Sequence, residues 1–149
     1  MKTIVAAVDF SNATPGVLDA AVTAARAYGA ELHLLHVLEP EPSYAAYGFT
    51  PDEFPAIHIF QEEARKRATS RLDDLLTQAG SDLAGLTVKL LEGTPLHAVV
   101  DYVEKVKADL VVLGTHGHGA VASLLLGSVA EGLVRKAVVP TMVIPAPSE

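Results

Sequence analysis

The residue types richest in chemistry lie between Asp109 and Val129, in the stretch DLVVLGTHGHGAVASLLLGSV. An apolar run, Leu110-Val111-Val112-Leu113, stops at Gly114, and Gly117, Gly119 and Gly127-Ser128 follow. A strand, a glycine-rich loop and a helix start, in that order, can bind an anion. Glycine lets the backbone approach a ligand closely, and the first N–H groups of a helix point at it. The spacing Gly-x2-Gly-x9-Gly-Ser is neither the Walker A pattern nor the dinucleotide fingerprint. The competing reading is a tight turn that holds nothing; the density of glycines before a Gly-Ser helix start favours the anion. No Lys or Arg occurs between Lys107 and Arg135. Phosphate charge would therefore fall to backbone N–H groups, the helix dipole, the Ser128 hydroxyl and a divalent cation, with His116 and His118 as further donors. Such a loop can hold a phosphate and is poorly built for fast phosphoryl transfer.

Asp9 is the second candidate. It closes the apolar run Thr3-Ile4-Val5-Ala6-Ala7-Val8. Its carboxylate either accepts hydrogen bonds from ribose-type hydroxyls or belongs to the cap of the helix that follows. The histidines do not assemble a metal site: His116-x-His118 has no Asp, Glu or Cys nearby, and zinc takes three or four protein ligands. His33 and His36 fall on opposite faces of one strand. There is no Gly-x-Ser-x-Gly elbow and Ser128 has no base partner in the sequence, so no catalytic residue is assigned.

These residues must be positioned by the elements around them. Thr3–Asp9 and Glu31–Leu38 read as strands, the first uniformly apolar as in a parallel sheet covered on both faces. Between them a helix enters through Ser11, Asn12, Thr14 and Pro15, runs to about Tyr28 and stops at Gly29. Residues 39–55, proline-rich and without periodicity, read as a long connection suited to a lid. Ile57–Ala79 is a helix with one solvated face, Thr87–Leu91 the third strand and Leu96–Lys107 the next helix. Asp109–Gly114 is the fourth strand, about Leu124–Ala137 the last helix and Val138–Ile144 the fifth strand. Strict β-α alternation with helical crossovers predicts a single doubly wound α/β domain over 1–149, a five-stranded parallel sheet with helices on both faces. In strand order 3-2-1-4-5 the reversal falls between strands one and four, where ligands bind beyond the strands' carboxyl ends. Asp9 and Gly114 would then face one crevice.

Composition narrows the partners. The 149 residues carry a formal charge of −7, from 18 acidic against 11 basic side chains. That argues against nucleic acid or an anionic membrane as a partner, since either needs a basic stripe. Arg65-Lys66-Arg67 reads as a solvated helix face. No apolar run approaches the roughly 20 residues of a membrane span. Cysteine is absent and nothing resembles an export signal, so a cytoplasmic location is expected.

The whole chain resembles the universal stress protein family, specifically its nucleotide-binding branch. The resemblance rests most on Gly114-Thr115-His116-Gly117 followed by Gly127-Ser128. It is supported by Ala7-Val8-Asp9-Phe10-Ser11, Leu35-His36-Val37, Glu92-Gly93-Thr94-Pro95 and Val139-Pro140-Thr141-Met142-Val143-Ile144. It implies an adenine nucleotide alpha-hydrolase-like fold and an ATP site. Asp9 and Gly114 would hold the ribose, and the Val37 main chain would meet adenine. Ala7, Leu113 and His116 would line the pocket, while Gly117, Gly127, Ser128 and Val129 would offer donors to the phosphates. A Mg²⁺ or Mn²⁺ would be held mainly by those phosphates. The family implies a nucleotide-dependent regulator of stress adaptation rather than an enzyme, with at most slow ATP hydrolysis and an unknown downstream protein partner. It also implies a homodimer through Thr141, Met142, Val143 and Ile144. The alternative is a nucleotide-free interaction module, or one that takes AMP or a cyclic nucleotide, on the same fold. Positions that are often basic in the family are here His118, Ala122 and Ser123, which removes positive charge near the phosphates.

Overall fold

A computed structural model describes residues 1–39, 55–80, 82, 83, 85–115 and 127–147. Five strands, β1 (Thr3–Ala7), β2 (Glu31–Leu38), β3 (Leu86–Glu92), β4 (Leu110–Gly114) and β5 (Thr141–Ile144), form one parallel sheet in the order β3-β2-β1-β4-β5. The crossovers are the helices α1 (Thr14–Tyr28), α2 (Pro55–Ala79), α3 (Pro95–Val106) and α4 (Ser128–Lys136). The doubly wound architecture and the strand order expected from the alternation are both present.

The two-residue strand period divides the core into two layers. Ile4, Ala6, Leu32, Leu34, Leu110 and Val112 pack with α1 and α2 on one face. On the other, Val5, Leu35, Val111 and Leu113 pack with Val99, Tyr102 and Val103 of α3 and Ala130 and Leu133 of α4. With both faces covered, the central strands have no polar face, which is why β1 beyond Thr3 and β4 are apolar. His33 and His36 obey the same period. His33 Nδ1 meets the Tyr102 hydroxyl at 2.6 Å on the α3 side, and His36 lies against the Phe10 ring on the other.

Several boundaries differ from the sequence reading, and three of them bear on the site or the sheet edge. β1 ends at Ala7 and not at Asp9, because the chain leaves the sheet into a turn where Phe10 adopts a left-handed φ of 62°. The described part of the last helix begins at Ser128, not near Leu124; residues 116–126 lie outside the described residues, as do 40–54 of the expected lid. β5 begins at Thr141, not at Val138. Ala137 closes α4 with a left-handed φ of 51°, Val139 turns into the core, and the Pro140 carbonyl accepts the Val111 N–H at 2.9 Å.

Candidate functional site

β1 is shorter than both of its neighbours at the carboxyl end of the sheet, and this shortness makes the site. Its register with β2 ends at Ala7↔Leu35 and with β4 at Ala6↔Val112. β2 continues through His36, Val37 and Leu38, and β4 through Leu113 and Gly114. A cavity of about 690 Å³ lies in the resulting notch, at the point where the order of strand connections reverses. Small-molecule sites typically span roughly 300–1,000 Å³.

The notch leaves main-chain groups of β2 open. In a parallel strand, alternate residues direct both N–H and C=O toward the same neighbour. The Leu35 carbonyl accepts the Val8 N–H at 2.8 Å, so Leu35 faces β1, while the Leu38 carbonyl faces the other way and accepts the Gly93 N–H at 3.2 Å. By that alternation Val37 faces β1, which has already ended. Its N–H and C=O are directed into the opening, an adjacent donor–acceptor pair of the kind that matches a heteroaromatic edge.

Asp9 belongs to the turn before α1 and also stands in the cavity wall. Its Oδ1 accepts the Ser11 N–H at 3.0 Å, fixing the turn into α1, and the residue also lines the cavity. Oδ2 has no hydrogen bond among the described residues. Thr14 corrects the expected cap: Ala13 is the N-cap of α1, and no side chain bonds that helix start. The Thr14 hydroxyl is buried without a partner among the described residues.

On the opposite wall α4 begins at Gly127 with no side-chain cap, so Ser128 and Val129 stand at the positive end of the helix with their N–H groups available. The Gly127 N–H is engaged differently from the sequence expectation: it donates to the Thr115 carbonyl, while the Thr115 N–H donates to the Ile144 carbonyl at 2.9 Å. These bonds hold the two ends of the glycine loop together and leave Ser128, Val129 and Ala130 as first-turn N–H donors without a partner among the described residues. Ala7, Asp9, Val37, Leu113, Gly114, Gly127, Ser128 and Val129 all line the one cavity. His116 and Gly117 lie outside the described residues.

Sequence reasoning gave no site role to several further residues of the wall, among them His36, Phe10 and Arg71. His36 Nδ1 donates to the Val8 carbonyl at 2.8 Å, its ring lies 4.4 Å from that of Phe10, and the Arg71 guanidinium sits 5.3 Å from the Phe10 ring centroid on the same residue. The signal for Arg71 was its register. It falls three residues after buried Ala68 and four before buried Leu75, on the inward edge of α2.

Among the described residues no three His, Asp or Glu side chains converge to hold a metal, and no helix is long and apolar enough to cross a membrane.

A doubly wound parallel sheet has a notch over its central strand, with a carboxylate on one wall and an uncapped helix start on the other, and the cavity between them has the size of a small-molecule site. Residues 1–145 match the Universal stress protein family, and the chain belongs to that family. A universal stress protein of Thermus aquaticus is 35% identical over 146 residues, covering 96% of this chain and 98% of the relative. The solved structure of the hypothetical protein MJ0577 superposes with a TM-score of 0.82 at 21% identity, covering 99% of this chain and 98% of that one. A universal stress protein from Archaeoglobus fulgidus, solved in complex with dAMP, superposes with a TM-score of 0.63 at 26% identity, covering 97% and 98%.

Proposed function

We propose that this protein binds an adenine nucleotide in the β1 notch and works in the stress response as a nucleotide-dependent regulator. The observation that carries this reading is the Val37 main chain, whose N–H and C=O open onto the cavity and can pair with the adenine edge. Asp9 Oδ2 would accept from the ribose hydroxyls near Gly114. The Ser128 and Val129 N–H groups would meet the phosphates, with Gly117 and His116 completing the loop. The dAMP complex of the Archaeoglobus fulgidus protein supports a ligand of this class. ATP with Mg²⁺ or Mn²⁺ is the proposed form, and because no carboxylate cluster stands ready among the described residues, the ion would take its ligands mainly from the phosphates. No described side chain is placed as a general base for hydrolysis, so any turnover is slow and incidental. We place the protein in the cytoplasm.

Calorimetry with ATP, ADP, AMP and cyclic AMP, with and without Mg²⁺, tests the reading. We expect binding by at least one of them. Asp9→Asn keeps an acceptor for the Ser11 N–H but removes the charge, and should weaken that binding about tenfold. No heat from any nucleotide would overturn the reading in favour of a nucleotide-free interaction module.

We also propose a homodimer through Thr141, Met142, Val143 and Ile144. Among the described residues β5 pairs with β4 and with no other strand, and Met142 is exposed. Two such edges pairing about a twofold axis close the assembly. Light scattering that gave a monomer mass would end this part of the proposal.

A further inference from the structure

The lining of the cavity has an unbalanced charge. Asp9 and Glu39 are its carboxylates, and Arg71 is its cation among the described residues. An anionic ligand entering that lining without help would meet net repulsion, and the stretch between Lys107 and Arg135 contributes no cation of its own. Arg71 differs from several other arginines of the fold. Arg26 is paired with Asp82, Arg65 with Glu62 and Glu92, and Arg135 with Glu131. No carboxylate pairs with Arg71 among the described residues. Its guanidinium rests over the Phe10 ring instead, 5.3 Å from the centroid. Phe10 is itself held in a left-handed conformation, φ 62°, packed against the core and with the His36 ring 4.4 Å away. A strained backbone persists only where its surroundings enforce it, and here it sets an aromatic platform beneath a cation that has no carboxylate partner among the described residues. A guanidinium attracted to an aromatic ring keeps N–H donors available to an anion.

We propose that Arg71, reaching across from α2, is the specificity-determining contact for the phosphate of the bound nucleotide and supplies the positive charge that the glycine loop lacks. This rests on the nucleotide reading above and adds to it a residue outside both the strand ends and the loop. Discrimination between a nucleotide and its nucleoside then depends on a side chain that follows β2, not on the loop that follows β4.

The test compares adenosine, AMP and ATP by calorimetry on the wild type, Arg71→Met and Arg71→Lys. Methionine keeps an apolar stem over Phe10 and removes the charge. We expect Arg71→Met to weaken AMP and ATP about five- to tenfold while leaving adenosine unchanged, and Arg71→Lys to recover part of the loss. Raising the salt concentration should shrink the wild-type advantage over Arg71→Met, because the contact is exposed. An equal loss for adenosine and AMP would make Arg71 a packing residue and overturn the proposal. Unchanged AMP and ATP affinity in Arg71→Met would overturn it too, with the nucleotide reading intact. A wild type that binds none of the three would overturn both.

Discussion

The two ends of the sheet are finished in opposite ways. At the amino end of β1, polar groups are closed off. The Asp109 carboxylate accepts the N–H groups of Lys2 and Thr3 at 2.7 and 3.1 Å, and the Asp109 N–H donates to the Thr3 carbonyl. Three helices finish at that end in left-handed caps, Gly29, Lys107 and Ala137, each donating its N–H back into the helix it closes. At the carboxyl end, α1, α3 and α4 start at Ala13, Thr94 and Gly127 with no side-chain cap. There too the Val37 main chain opens onto a void. Backbone polar groups left without partners cost stability. A fold that satisfies them at one end and leaves donors without partners among the described residues at the other is stabilised at the closed end, and the proposed function would use the open one.

That contrast can be broken or sharpened. The largest effect is expected at Ile4, fully buried in β1 and in register with Leu32 of β2 and Leu110 of β4. Ile4→Ala should lower the unfolding free energy by about 3 kcal/mol in urea denaturation. Nucleotide affinity should be unchanged where the variant is folded; a loss of affinity with full stability would reverse the assignment of roles.

The next is Gly127→Asp. Gly127 has φ −64° and ψ 158°, which any residue can adopt, so an aspartate there can cap α4. Unfolding should cost a few tenths of a kcal/mol more, while nucleotide affinity falls tenfold or more, since the new carboxylate occupies the donors and repels phosphate. Retained affinity would show that the α4 start is not used.

The smallest is the acid limb of stability. Hydrogen bonds from the Lys2 and Thr3 N–H groups hold the Asp109 carboxyl below its ordinary 3.8. A depressed folded value means the stabilisation is present above about 3.8 and is lost as pH falls through the lower folded value. Asp109→Asn should flatten that dependence in urea titrations between pH 2 and 5; an identical slope in both proteins would remove the carboxylate from the account.

Much of this was legible beforehand because parallel α/β folds write themselves into periodicity. Uniformly apolar β1 and β4 could only be strands covered on both faces, and Gly29 marked a helix end by its freedom at positive φ. The resemblance drew Asp9, Gly114 and Gly127-Ser128 together, and the strand order put them in one crevice. What was not legible depended on contacts between distant segments. Thr14 looked like a capping threonine by type, yet its hydroxyl is buried without a partner among the described residues, because Ala13 takes the cap position once Ser11 and Asp9 have fixed the turn. Gly127 looked like a phosphate donor, and its N–H is spent on Thr115.

The sequence by itself determined the alternation of strands and helices, the absence of a local cation in the glycine loop and the family. Each follows from residue types read along the chain. Only the tertiary structure decided that β1 stops short between longer neighbours, that Val37 therefore opens into the notch, and that Arg71 comes to rest on Phe10. Register and the packing of α2 against the sheet set those, and both depend on segments far apart in sequence, whose meeting no local pattern records.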